Sequence, residues 1–153
     1  MLNKKKLLQF LLEARTKTYA GGGGKVKPVF NGSSQREYRK GSWFYRDVYY
    51  TGKNKFIGLE VIYYLNKPVW SMSYYGSFKE TTGKGIDKIL REALLKNWRT
   101  TRIWKKVKWQ KADYQYICQP DFKGSLNELV GTEKIFKGKK KIYTFFYAGG
   151  FLI

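Results

Sequence analysis

Three consecutive segments rich in aromatic and β-branched residues constrain the fold of this chain more than any other feature. They cover residues 43–50, 56–65 and 68–76, and the polar turns between them span only 51–55 and 66–67. Such segments are typical of β-strands, and connections this short join antiparallel neighbours. The sequence therefore predicts a three-stranded antiparallel meander in the middle of the chain.

Amphipathic helices are predicted on both sides of this meander. Residues 3–16 place leucines on one helical face after a capping Asn3. Residues 84–98 repeat apolar side chains at helical spacing up to Trp98. Each pattern indicates a helix that buries one face.

Further strands are predicted at 113–119, 133–137 and 140–147, the last two joined as a hairpin at Lys137-Gly138. Because helices and strands occupy separate parts of the chain, we expect an α+β fold. Its antiparallel sheet, a meander plus a C-terminal hairpin, would carry two main helices packed on one face. We expect a single domain over residues 1–153, with a flexible loop containing Gly and Ser at about 20–42. No internal repeat is evident.

The sequence contains no histidine and one cysteine, Cys118. Zinc sites built on Cys and His lack their ligands, and Ser-His-Asp or Cys-His nucleophiles lack their base. A general acid or base would have to be a carboxylate, tyrosine or lysine. We expect no metal and no cofactor.

Lysine and arginine outnumber aspartate and glutamate by 31 to 11, which gives a net charge of +20. A charge of this size favours binding to a polyanion, either nucleic acid or an acidic protein. No segment has the roughly 20 apolar residues of a membrane span, and the N-terminal leucines are too few for a signal peptide. We therefore expect a cytoplasmic protein.

The positive charge concentrates in residues 96–111, where basic side chains alternate with tryptophans and no acid occurs. If 103–109 is extended, Val107 and Trp109 lie on one face and Trp104, Lys106 and Lys108 on the other. Basic side chains bind phosphates and exposed aromatics stack on bases. The predicted nucleic-acid contacts are Arg99, Arg102, Trp104, Lys105, Lys106, Lys108 and Lys111.

The register of the meander suggests a second site. With a two-residue turn at 66–67, Glu60 pairs with Ser73, and Ile57, Leu59, Val61, Trp70 and Met72 form the core face. A five-residue loop at 51–55 places Arg46 opposite Glu60. A four-residue loop places Tyr45 opposite Glu60, with Asp47 and Tyr49 on the same face, since one residue of slip reverses a strand.

On this interpretation, the face opposite the core forms a polar ligand pocket made of Tyr45, Arg46, Glu60, Ser71, Ser73 and Tyr75. Glu60 and Asp47 are the only candidates for acid–base chemistry, because carboxylates among aromatics acquire raised pKa values unless they are paired. The alternative is a structural ion pair on a partly covered sheet.

Several segments of the chain resemble a bacterial family catalogued as domain of unknown function 5680. They are Glu13-Ala14 with Thr18 to Gly22, Tyr45-Arg46-Asp47, Phe56-Ile57-Gly58 with Glu60, Pro68 to Trp70, Tyr74 to Gly76, Gly131 with Glu133, and Tyr147 to Gly150. Members often follow a helix-turn-helix DNA-binding domain, which implies a regulatory or sensing role. These residues contain no such motif, so we expect a chain that stands alone. Ala148 replaces the histidine that the resemblance implies before the glycine pair.

Three functions remain open. The first is a non-enzymatic regulatory or binding module for nucleic acid or another polyanion. The second is a small-molecule sensor or enzyme, including a histidine-free nuclease, that uses Glu60 and Asp47. The third is an adaptor for an acidic protein.

Overall fold

The structure is a computed structural model that describes residues 2–79, 83–98, 105–121 and 125–152. Within these ranges, two helices and nine strands occur. The helices are α1 (Lys4–Lys17) and α2 (Gly83–Lys96). The strands are β1 (Lys25–Val26), β2 (Ser34–Lys40), β3 (Trp43–Thr51), β4 (Lys55–Tyr64), β5 (Lys67–Phe78), β6 (Val107–Lys111), β7 (Tyr114–Pro120), β8 (Glu128–Lys137) and β9 (Lys140–Phe151).

The strands form one antiparallel sheet in the order β1-β2-β3-β4-β5-β9-β8-β7-β6. The α+β class, the meander and the C-terminal hairpin are therefore confirmed, and both helices lie within two residues of their predicted bounds. No helix among the described residues is long and apolar enough to cross a membrane.

Helix α1 begins at its predicted cap, where the Asn3 side chain accepts a hydrogen bond from the Lys6 backbone N–H at 3.0 Å. Its buried side chains include Leu7, Phe10 and Leu11. The apolar spacing of the sequence thus directs one stripe of α1 into the core.

The segment 20–42, predicted as a flexible loop, contains strands β1 and β2 instead. Strand β2 has the sequence SQREYRK, which lacks the apolar alternation by which strands are recognised. It is stabilised by pairing with β3 over seven residue positions, and its Gln35 and Arg36 are buried. Polar residues here occupy positions that a pattern search assigns to apolar ones.

The predicted register of β4 against β5 is wrong. The turn consists of Leu65 and Asn66, both with positive φ, so that Tyr64 pairs with Lys67. An irregularity between Ile62 and Tyr63 then places Glu60 opposite Met72. Because side chains alternate along a strand, this one-residue shift exchanges the β4 side chains that share a face of the sheet with Trp70 and Met72.

The buried face consequently carries Glu60, Ile62, Trp70, Met72 and Tyr74, and we call it the Glu60 face. Ile57 and Leu59, predicted as core, are instead exposed on the opposite face.

Strands β3 and β4 are joined by a four-residue connection, since Thr51 pairs with Phe56. Tyr45, Asp47 and Tyr49 therefore share the Glu60 face, as the second predicted register placed them. The residue opposite Glu60 is Asp47, however, and neither Tyr45 nor Arg46.

The sheet contains an internal duplication that was not evident in the sequence. Strands β2–β5 and β6–β9 are two meanders, each following a helix, and their last strands pair at the centre of the sheet. Gly58, Glu60 and Ile62 in β4 correspond to Gly131, Glu133 and Ile135 in β8 at one constant spacing. The same spacing relates Tyr74, Gly76 and Phe78 in β5 to Tyr147, Gly149 and Phe151 in β9.

Candidate ligand-binding site

A row of four charged residues crosses the first four strands of the sheet. Lys25 pairs with Arg36, Arg36 with Asp47, and Asp47 with Glu60. All four line one cavity of about 360 Å³, together with residues of α2 and β9. This volume lies within the range of small-molecule sites, about 300–1,000 Å³.

Glu60, at the inner end of the row, is neutralised by an arginine of α1. The Arg15 Nη2 and Nε atoms donate to Glu60 Oε2 at 2.6 and 3.1 Å, and both side chains are almost fully buried. The Arg15 guanidinium also lies 5.9 Å from the Trp70 ring centroid. Because its charge is already compensated, the Glu60 carboxylate is poorly suited to act as a general base.

Asp47 accepts a hydrogen bond from the Tyr74 hydroxyl at 2.7 Å. Burial, followed by the negative charge of Asp47, raises the pKa of Tyr74 well above its ordinary value. Tyr74 therefore stays a neutral donor at physiological pH. Gly58 makes room for this ring, since a Cβ there would lie 2.4 Å from the Tyr74 hydroxyl oxygen.

The two cations of the row have no carboxylate partner among the described residues. Arg36 is 3% exposed, and its Nη1 donates to the Gly23 carbonyl. Its Nε, also buried, makes no hydrogen bond there. Lys25 stands opposite Arg36 on the edge strand and is exposed.

Residues that follow α1 contact α2 at the rim of the cavity. The Tyr19 hydroxyl donates to Asp87 Oδ1 at 2.7 Å, and Arg91 Nε donates to Asp87 Oδ2 at 2.8 Å. The Arg91 guanidinium lies 4.3 Å from the Tyr19 ring centroid, and its Nη1 donates to the Tyr19 carbonyl. These contacts join the segment that follows α1 to α2 beside the cavity.

Aromatic rings form the apolar wall of the cavity. Phe56, Tyr74, Tyr143 and Phe145 contact one another with ring centroids 5.3–6.3 Å apart. Phe78 and the α2 side chains Ile86 and Leu90 complete this lining. The cavity thus combines a charged row with an apolar wall, as ligand sites commonly do.

The corresponding row of the second meander is mostly apolar. Val107 pairs with Cys118, Cys118 with Glu133, and Glu133 with Phe145. Val107 and Cys118 therefore stand where the first meander has Arg36 and Asp47. Tyr147 lies over Gly131 as Tyr74 lies over Gly58, but its hydroxyl is 3.6 Å from the Cys118 thiol.

The predicted pocket residues are divided between the two faces. Tyr45 and Glu60 lie on the Glu60 face, whereas Arg46, Ser71, Ser73 and Tyr75 lie on the opposite one. Arg46 Nε donates to Glu37 at 2.9 Å, and Ser71 Oγ donates to the Glu60 carbonyl at 2.9 Å. The six residues therefore do not share one face of the sheet, contrary to the predicted register.

The sequence analysis missed cavity residues, among them Arg36 and Tyr74, and it missed Arg15 as the partner of Glu60. Arg36 lies in the segment assigned to a loop, and Tyr74 was assigned to the other face by the register error. Arg15 belongs to a predicted helix, but its partner Glu60 is 45 residues away. Gly58, which lies beneath the Tyr74 ring, is the one sequence feature that could have indicated a crowded, buried tyrosine.

The basic segment is described only in part. Lys105, Lys106 and Lys108 are exposed, whereas Val107 is buried and Trp109 partly buried, in the predicted alternation. Lys111 donates to Glu92 of α2 at 2.6 Å. Arg99, Arg102 and Trp104 lie outside the described residues.

No group of three or more His, Cys, Asp or Glu side chains placed to hold a metal ion occurs in the described part of the chain. Asp47 and Glu60 are the two carboxylates of the cavity row. Their neighbours in that row, Arg36 and Met72, are not anionic ligands.

Comparison with curated proteins and with solved structures found no match. A protein-family model does match residues 47–152, well over half of the chain. This span includes Asp47, Glu60 and Tyr74 and excludes Arg15, Lys25 and Arg36. The chain belongs to the family described as domain of unknown function DUF5680.

Proposed function

We propose that this protein binds a small molecule in the cavity on the Glu60 face and acts as a ligand-sensing module. The observation that carries the proposal is the charged row Lys25–Arg36–Asp47–Glu60, whose last three residues are buried, beside an aromatic wall. A row of buried charges is costly to fold and adds little stability to a purely structural sheet. Retaining it is consistent with ligand recognition.

The contacts of the helices support an enclosed site. Side chains of α1 reach the Glu60 face through Arg15 and through Phe10, whose ring is 5.6 Å from that of Trp43. Side chains of α2 line the cavity over the same face. In this proposal both helices cover the Glu60 face, and they shield the ligand from water.

Binding is favoured over catalysis by the state of the two carboxylates. Glu60 is paired with Arg15, and Asp47 accepts a hydrogen bond from Tyr74. A general base needs an available lone pair and a pKa near the working pH. The proposed module is therefore non-enzymatic.

A cavity-filling substitution tests this function. Leu90→Trp places an indole in the cavity, whereas Leu95→Trp adds the same group at an exposed position of α2. A library of small metabolites is screened by thermal unfolding with wild type and both variants. A ligand at 100 times its Kd should stabilise the protein by about 2.7 kcal/mol.

We expect compounds that raise the Tm of wild type and Leu95→Trp but not that of Leu90→Trp. Far-UV circular dichroism confirms that both variants are folded. The proposal fails if no compound raises the Tm, or if the same compounds stabilise Leu90→Trp equally.

A second candidate function is binding to nucleic acid, and the exposed lysines of the β6 edge favour it. Lys105, Lys106 and Lys108 are exposed beside or within an edge strand, in a chain of net charge +20. Each phosphate neutralised would contribute roughly −0.9 to the log–log salt slope for duplex DNA. This surface lies at the opposite edge of the sheet from Lys25.

Replacing these three lysines by glutamate tests the candidate against an equal charge change at exposed Lys5, Lys6 and Lys27. We expect the first variant to weaken binding to mixed DNA and RNA fragments and to flatten the salt slope more than the second. Equal effects of the two triple variants would indicate a response to net charge alone. Binding to an acidic protein but to neither nucleic acid would support the adaptor instead.

A further inference from the structure

The outer end of the charged row places two cations side by side. Lys25 of β1 stands directly opposite Arg36 of β2, and both line the cavity. Like charges directly opposite each other destabilise a strand pair. Arg36 is also buried, which adds the cost of removing a guanidinium from water. This end of the row therefore attracts an anion.

Among the described residues, the other charged groups of the cavity form no ion pair with Lys25 or Arg36. Glu60 is occupied by Arg15 at 2.6 Å, and Asp87 by Arg91 at 2.8 Å. Asp47 lies next to Arg36 in the row, but its nearest described partner is the Tyr74 hydroxyl at 2.7 Å. Within the described lining, Lys25 and Arg36 are left without a carboxylate at ion-pair distance.

The remaining lining is apolar and aromatic. Phe56, Phe78 and Phe145 face the same cavity as the cation pair. A bare inorganic anion would leave these rings without a partner, whereas an organic body would cover them and remove apolar surface from water. The chemistry of the cavity therefore differs between its two ends.

We propose that the ligand is a small organic anion, with its anionic group between Lys25 and Arg36 and its apolar body against the aromatic wall. This inference rests on the proposed function, since it names the class of molecule that the cavity binds. An ammonium ligand would bring a third positive charge to the cation pair. A neutral ligand would leave that pair uncompensated.

A matched set of compounds separates these possibilities. The probes are 3-phenylpropanoate, 3-phenylpropan-1-ol and 3-phenylpropylamine, which share one body, together with acetate as an anion without it. Binding is measured by calorimetry at two salt concentrations. We expect the phenylpropanoate to bind more tightly than the other three, and more weakly at high salt because charge attraction is screened.

The variant that tests the anion site is Lys25→Met, with Lys27→Met as its control. Both lysines are exposed and two residues apart, but only Lys25 lines the cavity. We expect Lys25→Met to weaken phenylpropanoate binding roughly fivefold, as an exposed ion pair would, and Lys27→Met to leave it unchanged. Arg36→Met should weaken it at least about tenfold, with its fold checked by circular dichroism.

The outcomes are distinguishable. Tighter binding of the alcohol or the amine would overturn the anion proposal while leaving a functional cavity. Equal loss in Lys25→Met and Lys27→Met would show attraction by net charge and would overturn it too. Binding of acetate as tight as that of phenylpropanoate would overturn the role of the aromatic wall. If the metabolite library gives no ligand of any class, the proposed function itself fails.

Discussion

At the scale of single residues, the ion pair of Arg15 and Glu60 is the most demanding feature of the core. Both side chains are nearly inaccessible to water, and hydrogen bonds of 2.6 Å and 3.1 Å between them offset part of their desolvation. Helix α1 carries Glu13-Ala14-Arg15 where α2 carries Glu92-Ala93-Leu94. The arginine thus occurs in α1, the helix that precedes the meander with Asp47, and a leucine takes its place in α2.

Breaking this pair from one side should be costly. We expect Arg15→Leu to lower the free energy of unfolding by about 3–5 kcal/mol, because it leaves the Glu60 carboxylate buried without its counterion. The double variant Arg15→Leu with Glu60→Met should recover most of this loss, since two apolar groups can replace a buried ion pair. Urea denaturation of the four proteins of the cycle measures the coupling.

Additive effects of the two substitutions would contradict this account, because they would mean that each residue is stabilised independently of the other.

At the scale of elements, the sequence predicted the helices and strands whose apolar residues recur at regular spacing. Helices α1 and α2, strands β3 to β5 and the β8–β9 hairpin all carry that signal. The helices and β3 to β5 were located within two residues, whereas the predicted β8 began five residues late and β9 ended four residues early. Strand β2 was missed because its buried positions include Gln35 and Arg36. Buried polar residues interrupt the apolar alternation from which a strand is recognised.

The same limit applies to the candidate site. Glu60 and Asp47 could be singled out because each is a lone acid among strand residues. Their true relation depends on the turn at Leu65-Asn66 and on the irregularity beside Ile62. A leucine with positive φ has no sequence signal, so a two-residue turn was assigned one position too late. That error alone shifts the pairing by two residues, which keeps the faces. The one-residue irregularity beside Ile62 reverses them, so Ser71, Ser73 and Tyr75 were assigned to the wrong face.

At the scale of the whole molecule, the duplicated meanders are joined along three lines of contact. Strands β5 and β9 pair from Trp70–Phe151 to Phe78–Tyr143. Lys4 of α1 donates to Asn127 at 2.8 Å, and Tyr19 donates to Asp87 of α2. Because the two halves share the β5–β9 pairing and these contacts, we expect the loss of structure in one half to destabilise the other.

This interlocking predicts one cooperative unfolding transition, and two equivalent glycines provide the perturbation. A Cβ at Gly58 or at Gly131 would lie 2.4 Å from the hydroxyl oxygen of Tyr74 or Tyr147. We expect Gly58→Ala and Gly131→Ala each to destabilise the protein by about 1–3 kcal/mol. Gly85→Ala, in α2 with no atom within 4 Å of its Cβ, should instead stabilise it by roughly 0.5–1 kcal/mol.

The midpoint of unfolding should differ between wild type and the three variants. Within each of these proteins, however, tryptophan fluorescence and far-UV circular dichroism should report the same midpoint. Trp43 and Trp70 belong to the first meander and Trp109 to the second. Halves that unfold separately would give two midpoints once only one half is weakened. A two-step transition in Gly131→Ala would therefore contradict the interlocked arrangement. A coincident shift would show that the cavity of the first meander depends on the apolar packing of the second.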